Sequence, residues 1–424
     1  MVGAMAFLRT LLGQARSGAW LTRERVRAYA TIMIVIELAG FAFCVAGTHG
    51  LVVPLHRPVS TDFVSFYAAG WLADAGTPAL VYDQAAHYAA EQAVREPGLA
   101  YNYFYYPPVF LLLCAVLARL PYMVAFIGFQ AAALLPCLLI GRKILAEKGW
   151  DAVLPLMAFP ALYYTMGTGQ NALLTAALFG AGTLLIDRKP VLAGLLFGAL
   201  CYKPHFGLLL PVALAAGGRW RAFAAAAATV AVLVGCSVFA FGWETWRGFF
   251  AAAVGSHVTY ENHIRPTGMA SPFGAVLVLG GSPALAYAVQ AVATVAAMSA
   301  VWWAWRGDLS LPKRAAVLAA ATPIAVPVVL FYDLMLSGVA LAWMVRGARE
   351  HGFPAWGKTA AVVMFTATLV TGNASPEAHR LVAPLIAGGM FVLALACAAR
   401  ERSAVNVSLR SEGLASISTA AAGT

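Results

Sequence analysis

The sequence predicts an all-α fold, a polytopic transmembrane helical bundle of about twelve spans, on three observations. Of the 424 residues, 61% are hydrophobic and only 11% are charged, where a soluble domain carries roughly 45–50% apolar and about 25% charged residues. Several nearly uninterrupted apolar runs exceed the roughly 18 residues that a bilayer crossing needs. The 28 lysines and arginines gather in short clusters between those runs, where membrane proteins place them to set orientation. Together these exclude a water-soluble globular enzyme, a disordered chain and a coiled coil. A transmembrane barrel would instead show period-two alternation in its strands. The formal charge of +10 is an orientation signal in such a chain, so no nucleic-acid partner is expected.

Residues 1–27 form a basic N-terminus, with Arg9, Arg16, Arg23, Arg25 and Arg27 ahead of a first span at about 28–47. These arginines place it in the cytoplasm, and no small-residue cleavage site marks a signal peptide. The outer loop that follows, 48–121, has mixed polarity. Within it, 63–74 has helical periodicity with Phe63, Phe66, Tyr67 and Trp71 on one side, as in a helix lying in the interface. The run 107–119 is apolar but short, and predicts a second interfacial or re-entrant helix with Pro107 and Pro108 in its first turn.

Further spans are predicted at about 122–140, 152–166, 170–186, 190–202, 204–217, 222–241, 284–305, 315–332, 334–346, 358–371 and 381–399. A second large outer loop covers 242–283. The transmembrane domain is thus 28–402, and the Ser-, Ala- and Gly-rich stretch 403–424 reads as a disordered cytoplasmic tail. In this topology all 28 basic residues except Arg57, Arg95, Arg119, Lys203, Arg247, Arg265 and Arg380 lie on the cytoplasmic side. Counting 107–119 as a full span would put Arg142 and Lys143 outside and break the pattern.

The polar chemistry then falls on the outer face. Asp62 has two readings: an N-cap of helix 63–74, or a general base that takes a proton from an attacking sugar hydroxyl. Lys203, in Cys201-Tyr-Lys-Pro-His205, either snorkels to the interface or meets a phosphate as a point charge. Pro204 breaks the chain there, as tolerated where backbone lines a cavity. His205 and Arg265 are further candidates near a phosphate. Gln170 and Asn171, at a helix end after Tyr163 and Tyr164, offer amides to a sugar or cap the helix. Tyr106, His257, Glu261, His263 and Asp333 complete the sugar or acceptor candidates. Glu37 stands mid-span, where an acid is neutral or paired. Trp243 and Trp246 are an interfacial anchor or a stacking platform. The cysteines are scattered without a CxxC spacing, so neither a zinc site nor a disulfide framework is expected. No cofactor is expected and no residue is assigned as a metal ligand, which leaves a metal requirement open.

Several stretches occur together in order: Asp62-Phe-Val-Ser-Phe-Tyr67, Leu80-Val-Tyr-Asp83, Tyr106-Pro-Pro108, Gly169-Gln-Asn-Ala-Leu-Leu-Thr175, Asp187-Arg-Lys-Pro190, Cys201-Tyr-Lys-Pro204, Leu208-Leu-Leu-Pro211 and Gly218-Arg-Trp-Arg221. With them the sequence resembles glycosyltransferase family 87 over roughly residues 60–240, and Phe331-Tyr-Asp333 extends the likeness. The resemblance implies a GT-C fold and a polyprenyl-phosphate-linked sugar donor, often mannose. It implies an inverting transfer at the outer face of the plasma membrane, to a glycan or glycolipid acceptor. In that family an acid of the first outer loop is the base, a role that carries over onto Asp62. Lys203 and nearby cations would stabilise the departing phosphate. The stretch from His257 to Arg265 matches no family motif. A lipid-linked saccharide transporter or flippase, or a polysaccharide polymerase or ligase, would share such substrates. No internal two-fold repeat of the transporter kind is visible.

Overall fold

The computed structural model describes the backbone of residues 2–46, 62–95, 98–262, 268–372 and 379–422, and side chains throughout these except 2–4, 44–46, 256–262 and 404–422. The described chain is helical, with one isolated β-bridge between Met269 and Leu330. In order the helices are α1 (Val2–Ser17), α2 (Arg23–Ala46), α3 (Phe63–Asp74), α4 (Gln84–Val94), α5 (Pro108–Ala118), α6 (Tyr122–Leu145), α7 (Trp150–Met157), α8 (Pro160–Thr168) and α9 (Ala172–Leu185). They continue as α10 (Pro190–Ala199), α11 (Leu210–Ala216), α12 (Trp220–Asn262), α13 (Pro272–Val278), α14 (Pro283–Arg306), α15 (Leu311–Ala321), α16 (Met335–His351), α17 (Gly357–Ala367) and α18 (Val382–Ala422).

Among the described residues, five helices are long and apolar enough to cross a membrane: Arg23–Phe43, Tyr122–Leu145, Trp220–Gly255, Pro283–Arg306 and Val382–Ser403. The protein is therefore an all-helical membrane protein. The other predicted spans appear as shorter apolar helices, and prolines account for several of the breaks. Pro160 ends α7 at the residues before it. Pro204 separates α10 from α11, with 3₁₀ turns at Leu200–Tyr202 and Pro204–Gly207. Predicted span 315–332 is helical only to Ala321, because Pro323 and Pro327 cannot continue a helix. Partners from α14 satisfy the freed carbonyls: Gln290 Nε2 donates to Ile324 O (2.9 Å) and Thr294 Oγ1 to Ala325 O (2.8 Å). Ala270 N donates to Val329 O (2.7 Å). Irregular backbone is stable at membrane depth when other protein groups take up its polar atoms in this way.

Two corrections concern the outer segments. Helix α3 has the predicted bounds, but it is not an interfacial helix with one dry side: Phe63, Val64, Phe66, Ala68 and Ala69 are all buried. It is enclosed by α4, α5 and the 3₁₀ turn Pro78–Tyr82. Gly70 makes this possible, since a Cβ there would collide with the Cys114 carbonyl on α5. Most of the second outer loop is helix: α12 runs on past a non-helical Gly242, and α13 follows.

The basic clusters meet at one end of the bundle. There Arg27 donates to Asp151 (2.9 Å), Arg349 to Glu147 (2.7 Å), and Asp187 bridges Arg219 (2.6 Å) and Arg314. Helix α1 docks on α17 at this end through Trp356 N to Arg16 O (2.8 Å) and Trp20 Nε1 to Thr359 Oγ1 (2.9 Å). Close packing of short helices uses small residues, as membrane bundles do. In Gly194-Leu-Leu-Phe-Gly198, both glycines face the carbonyls of Ala222 and Ala226 on α12, with no room for a Cβ.

Candidate active site

At the end away from the basic clusters, four chain segments bring their polar side chains together. The first is the start of α3. Asp62 occupies the N-cap position, yet its backbone is helical and its side chain makes no capping bond. Its carboxylate accepts instead from Gln170 Nε2 (2.8 Å). A capping aspartate looks different: Asp83 Oδ1, at the start of α4, accepts from Ala86 N (2.9 Å).

The second segment is the turn between α8 and α9. Gly169 ends α8 with a φ of +72°, and a Cβ at that position would lie 2.5 Å from the Phe63 Cβ. Only glycine lets this turn lie against the start of α3, and that contact delivers Gln170 to Asp62. Gln170 is fixed on three sides. Its Nε2 holds Asp62, its Oε1 accepts from Tyr106 Oη (3.1 Å), and its backbone O accepts from Gln130 Nε2 (3.1 Å). Asn171 is fully buried, makes no cap for α9, and neither side-chain polar atom has a well-formed hydrogen bond. It lies beside the Tyr106 hydroxyl.

The third and fourth segments are the break between α10 and α11 and the 3₁₀ turn Phe331–Leu334 ahead of α16. Lys203 does not snorkel: it is 5% exposed and its Nζ donates to Asp333 Oδ1 (2.6 Å). The Phe206 and Tyr332 rings flank the ammonium at 4.9 and 5.4 Å. Asp333 Oδ2 accepts from Leu330 N (3.2 Å). Asp333 is thus committed to Lys203 and to its own turn. His205 is half-buried and packs on Phe206. Tyr202 Oη shares a 2.6 Å hydrogen bond with Thr175 Oγ1.

Burial sets the electrostatics. It pushes the Asp62 carboxyl above its ordinary range, against the Gln170 hydrogen bond and the charge of Lys203, which both pull it down. Burial also drives the Tyr106 phenol far above its ordinary value, so it stays protonated. Lys203 lies within electrostatic reach of Asp62, and Asp333 and Asp62 of Tyr106. The six side chains Asp62, Tyr106, Gln170, Asn171, Lys203 and Asp333 therefore form one polar site in an apolar bundle. A half-buried carboxylate, raised in basicity and steered by a side-chain amide, is equipped to take a proton.

Of the remaining candidates, the side chains of His257 and Glu261, and His263 and Arg265 entirely, lie outside the described residues. Glu37 Oε1 has no hydrogen-bond partner among the described residues. Trp246 is buried with Nε1 on Ser237 Oγ (3.1 Å), whereas Trp243 is exposed. Among the described residues, no three His, Cys, Asp or Glu side chains converge as metal ligands.

Sequence reasoning missed a second buried polar group behind α3. His87 and Glu91 on α4 are completely buried. His87 Nε2 meets Ser65 O (3.1 Å), Glu91 Oε2 accepts from Asn102 N (3.1 Å), and the two side chains are 3.9 Å apart. Burial lowers His87 to about 4 and raises Glu91 to about 8, leaving both neutral near pH 6. Their i, i+4 spacing was the available signal.

No curated protein and no solved structure matches the chain. The sequence model of glycosyltransferase family 87 matches residues 104–331, a stretch that contains Tyr106, Gln170, Asn171 and Lys203 and ends two residues before Asp333, while Asp62 precedes it. That match covers more than half of the 424 residues, and the chain belongs to glycosyltransferase family 87.

Proposed function

We propose that this membrane glycosyltransferase moves a hexose, mannose first among candidates, from a polyprenyl-phosphate donor to a glycan or glycolipid acceptor at the outer face of the plasma membrane. The observation that carries the proposal is the use made of Asp62: its carboxylate leaves the cap of α3 free and is aimed by Gln170 into a site that also holds a buried lysine.

In the proposed reaction the acceptor hydroxyl attacks the anomeric carbon and gives its proton to Asp62. The anomeric carbon–oxygen bond breaks, the lipid phosphate leaves with the electron pair, and the configuration inverts. Tyr106 and Gln130 hold Gln170, and Gln170 holds the base. Asn171, with its amide unengaged, is placed to meet a sugar hydroxyl. Lys203 is the group for the phosphate. An ammonium has three donors, and the bond to Asp333 uses one. Asp333 then positions Lys203 instead of binding the acceptor. His205 stands next to it as a second contact for the donor, and Arg265, His257, Glu261 and His263 remain candidates.

We read the domain over 28–402 as a GT-C bundle of about twelve crossings, to which the five long helices contribute the full-length ones. The basic end then faces the cytoplasm and the site faces outward.

The test is incubation of the purified protein with radiolabelled polyprenyl-phosphate mannose and a membrane-lipid acceptor pool, beside a nucleotide-mannose control. Label entering the acceptor pool from the lipid-linked donor alone is expected. Transfer from the nucleotide sugar, or none from the lipid-linked one, would overturn the donor assignment.

A further inference from the structure

A deep apolar cavity in the described structure lies away from the site. It lies toward the basic end, in a cleft between α2, α6, α7, α8, α16 and α17, with a volume of about 400 Å³. That falls within the roughly 300–1,000 Å³ of ligand pockets. Its walls are almost wholly aliphatic and aromatic, with Met33, Leu138, Ile144, Val339, Val362 and Phe365 among them.

Its depth is informative. The lining runs from Arg23 to Met33 on α2, from Cys137 to Leu145 on α6 and from Lys358 to Thr366 on α17. At 1.5 Å per residue these stretches are about 12–15 Å long, half of the roughly 30 Å hydrocarbon core. The cleft therefore has the reach of one leaflet, starting from the basic end. Helix α2 closes its outer side only loosely. Through Ala30 and Met33 it packs on Ala158, and most of its surface is exposed.

The mouth is charged. Arg27 is paired with Asp151, and Glu147 is taken by Arg349 at 2.7 Å. Arg23 approaches Glu147 only to 4.0 Å and is 84% exposed. Lys358 lays its stem across Gly18 and has no ion-pair partner among the described residues. Beside the mouth, α1 adds Arg9 and Arg16 in a shallow recess at Trp356. It also exposes Met5, Leu8, Leu11 and Leu12, apolar side chains suited to contact with lipid.

We propose that this cleft is a binding site for an anionic phospholipid of the leaflet at the basic end. One acyl chain fills the cavity and the phosphate lies between Arg23 and Lys358. Basic pockets between helices on that side of a membrane recognise such headgroups. The sugar donor is a poor occupant, because its phosphate must reach Lys203 at the opposite end. By filling the gap behind α2, the lipid would tie α1 and α2 to the bundle.

The experiment uses the full-length protein in mixed micelles, with phosphatidylglycerol or phosphatidylcholine of identical chains, and counts retained lipid by native mass spectrometry. The wild type is expected to retain one phosphatidylglycerol at least fivefold more often than phosphatidylcholine. Ala361→Phe, which fills the cavity from α17, should abolish retention of both. The surface double variant Arg23→Glu/Lys358→Glu should keep a chain in the cavity but lose the headgroup preference. Equal retention of the two lipids by the wild type, no retention, or displacement of phosphatidylglycerol by equimolar polyprenyl phosphate would each overturn the proposal.

Discussion

Glu91 is a carboxyl with no cation beside it, completely buried against His87, and its state sets a pH dependence of stability. In the unfolded chain it titrates at its ordinary value of 4.5, and in the folded protein near 8. Between those values the unfolded chain releases a proton that the folded protein keeps, so stability falls as pH rises. His87 acts in the opposite sense between about 4 and 6.5, where the unfolded chain holds the extra proton and stability rises with pH. The two offset one another up to about pH 6.5, and above it only Glu91 remains. Thermal melts of the wild type should therefore show stability dropping by roughly 1–2 kcal/mol from pH 6.5 to 8. In Glu91→Gln that drop should vanish, and a drop of the same size would show that Glu91 is already ionised. Composition hid this pair, because two polar residues on a short helix give no sign of complete burial. Asp62, Gln170, Asn171 and Lys203 were legible as polar residues at the ends of apolar runs. The partners they chose were not: the 2.6 Å bond from Lys203 to Asp333 joins positions 130 residues apart.

Close glycine contacts help place the helices around the site. Helix α3 carries Asp62 at its start and leans on α5 at Gly70, against the Cys114 carbonyl. A methyl group there must push the helices apart, and overpacking of this kind costs about 1–3 kcal/mol. Gly70→Ala is expected to lower the melting temperature and to slow sugar transfer, since it shifts the helix that aims Asp62. Gly128→Ala on α6 has open space around the new methyl and should melt and transfer as the wild type does. Equal behaviour of the two variants would mean that α3 can move without cost. The bounds of α3 were readable from its apolar start and Asp74 at its end. Its surroundings were not, because an apolar helix in an interface and one inside a bundle share the same composition. The prolines at 323 and 327 were equally visible, but only the α14 side chains show why an unwound segment can rest there.

At the scale of the whole molecule, the division between a basic end and a site end was fully legible. It follows from where charge is cheap, and the ion pairs of Arg27 with Asp151, Arg349 with Glu147 and Arg219 with Asp187 lie at the end away from the site. What the sequence could not supply is how deep each short helix sits, and so how many cross. Convergence of the start of α3, the α8–α9 turn, the α10–α11 break and the turn before α16 makes a single site out of residues spread over more than half the chain. The claim at the centre of that site is that Asp62 serves the reaction and not the helix. Asparagine caps a helix about as well as aspartate but cannot accept the proton. The deciding measurement is sugar transfer by folded Asp62→Asn, beside Asp83→Asn at the true cap of α4. The account predicts unchanged melting for both, near-normal transfer for Asp83→Asn, and a loss of about 10²–10⁴-fold for Asp62→Asn, the usual contribution of a positioned base. A folded Asp62→Asn protein that transfers sugar at the original rate would contradict it.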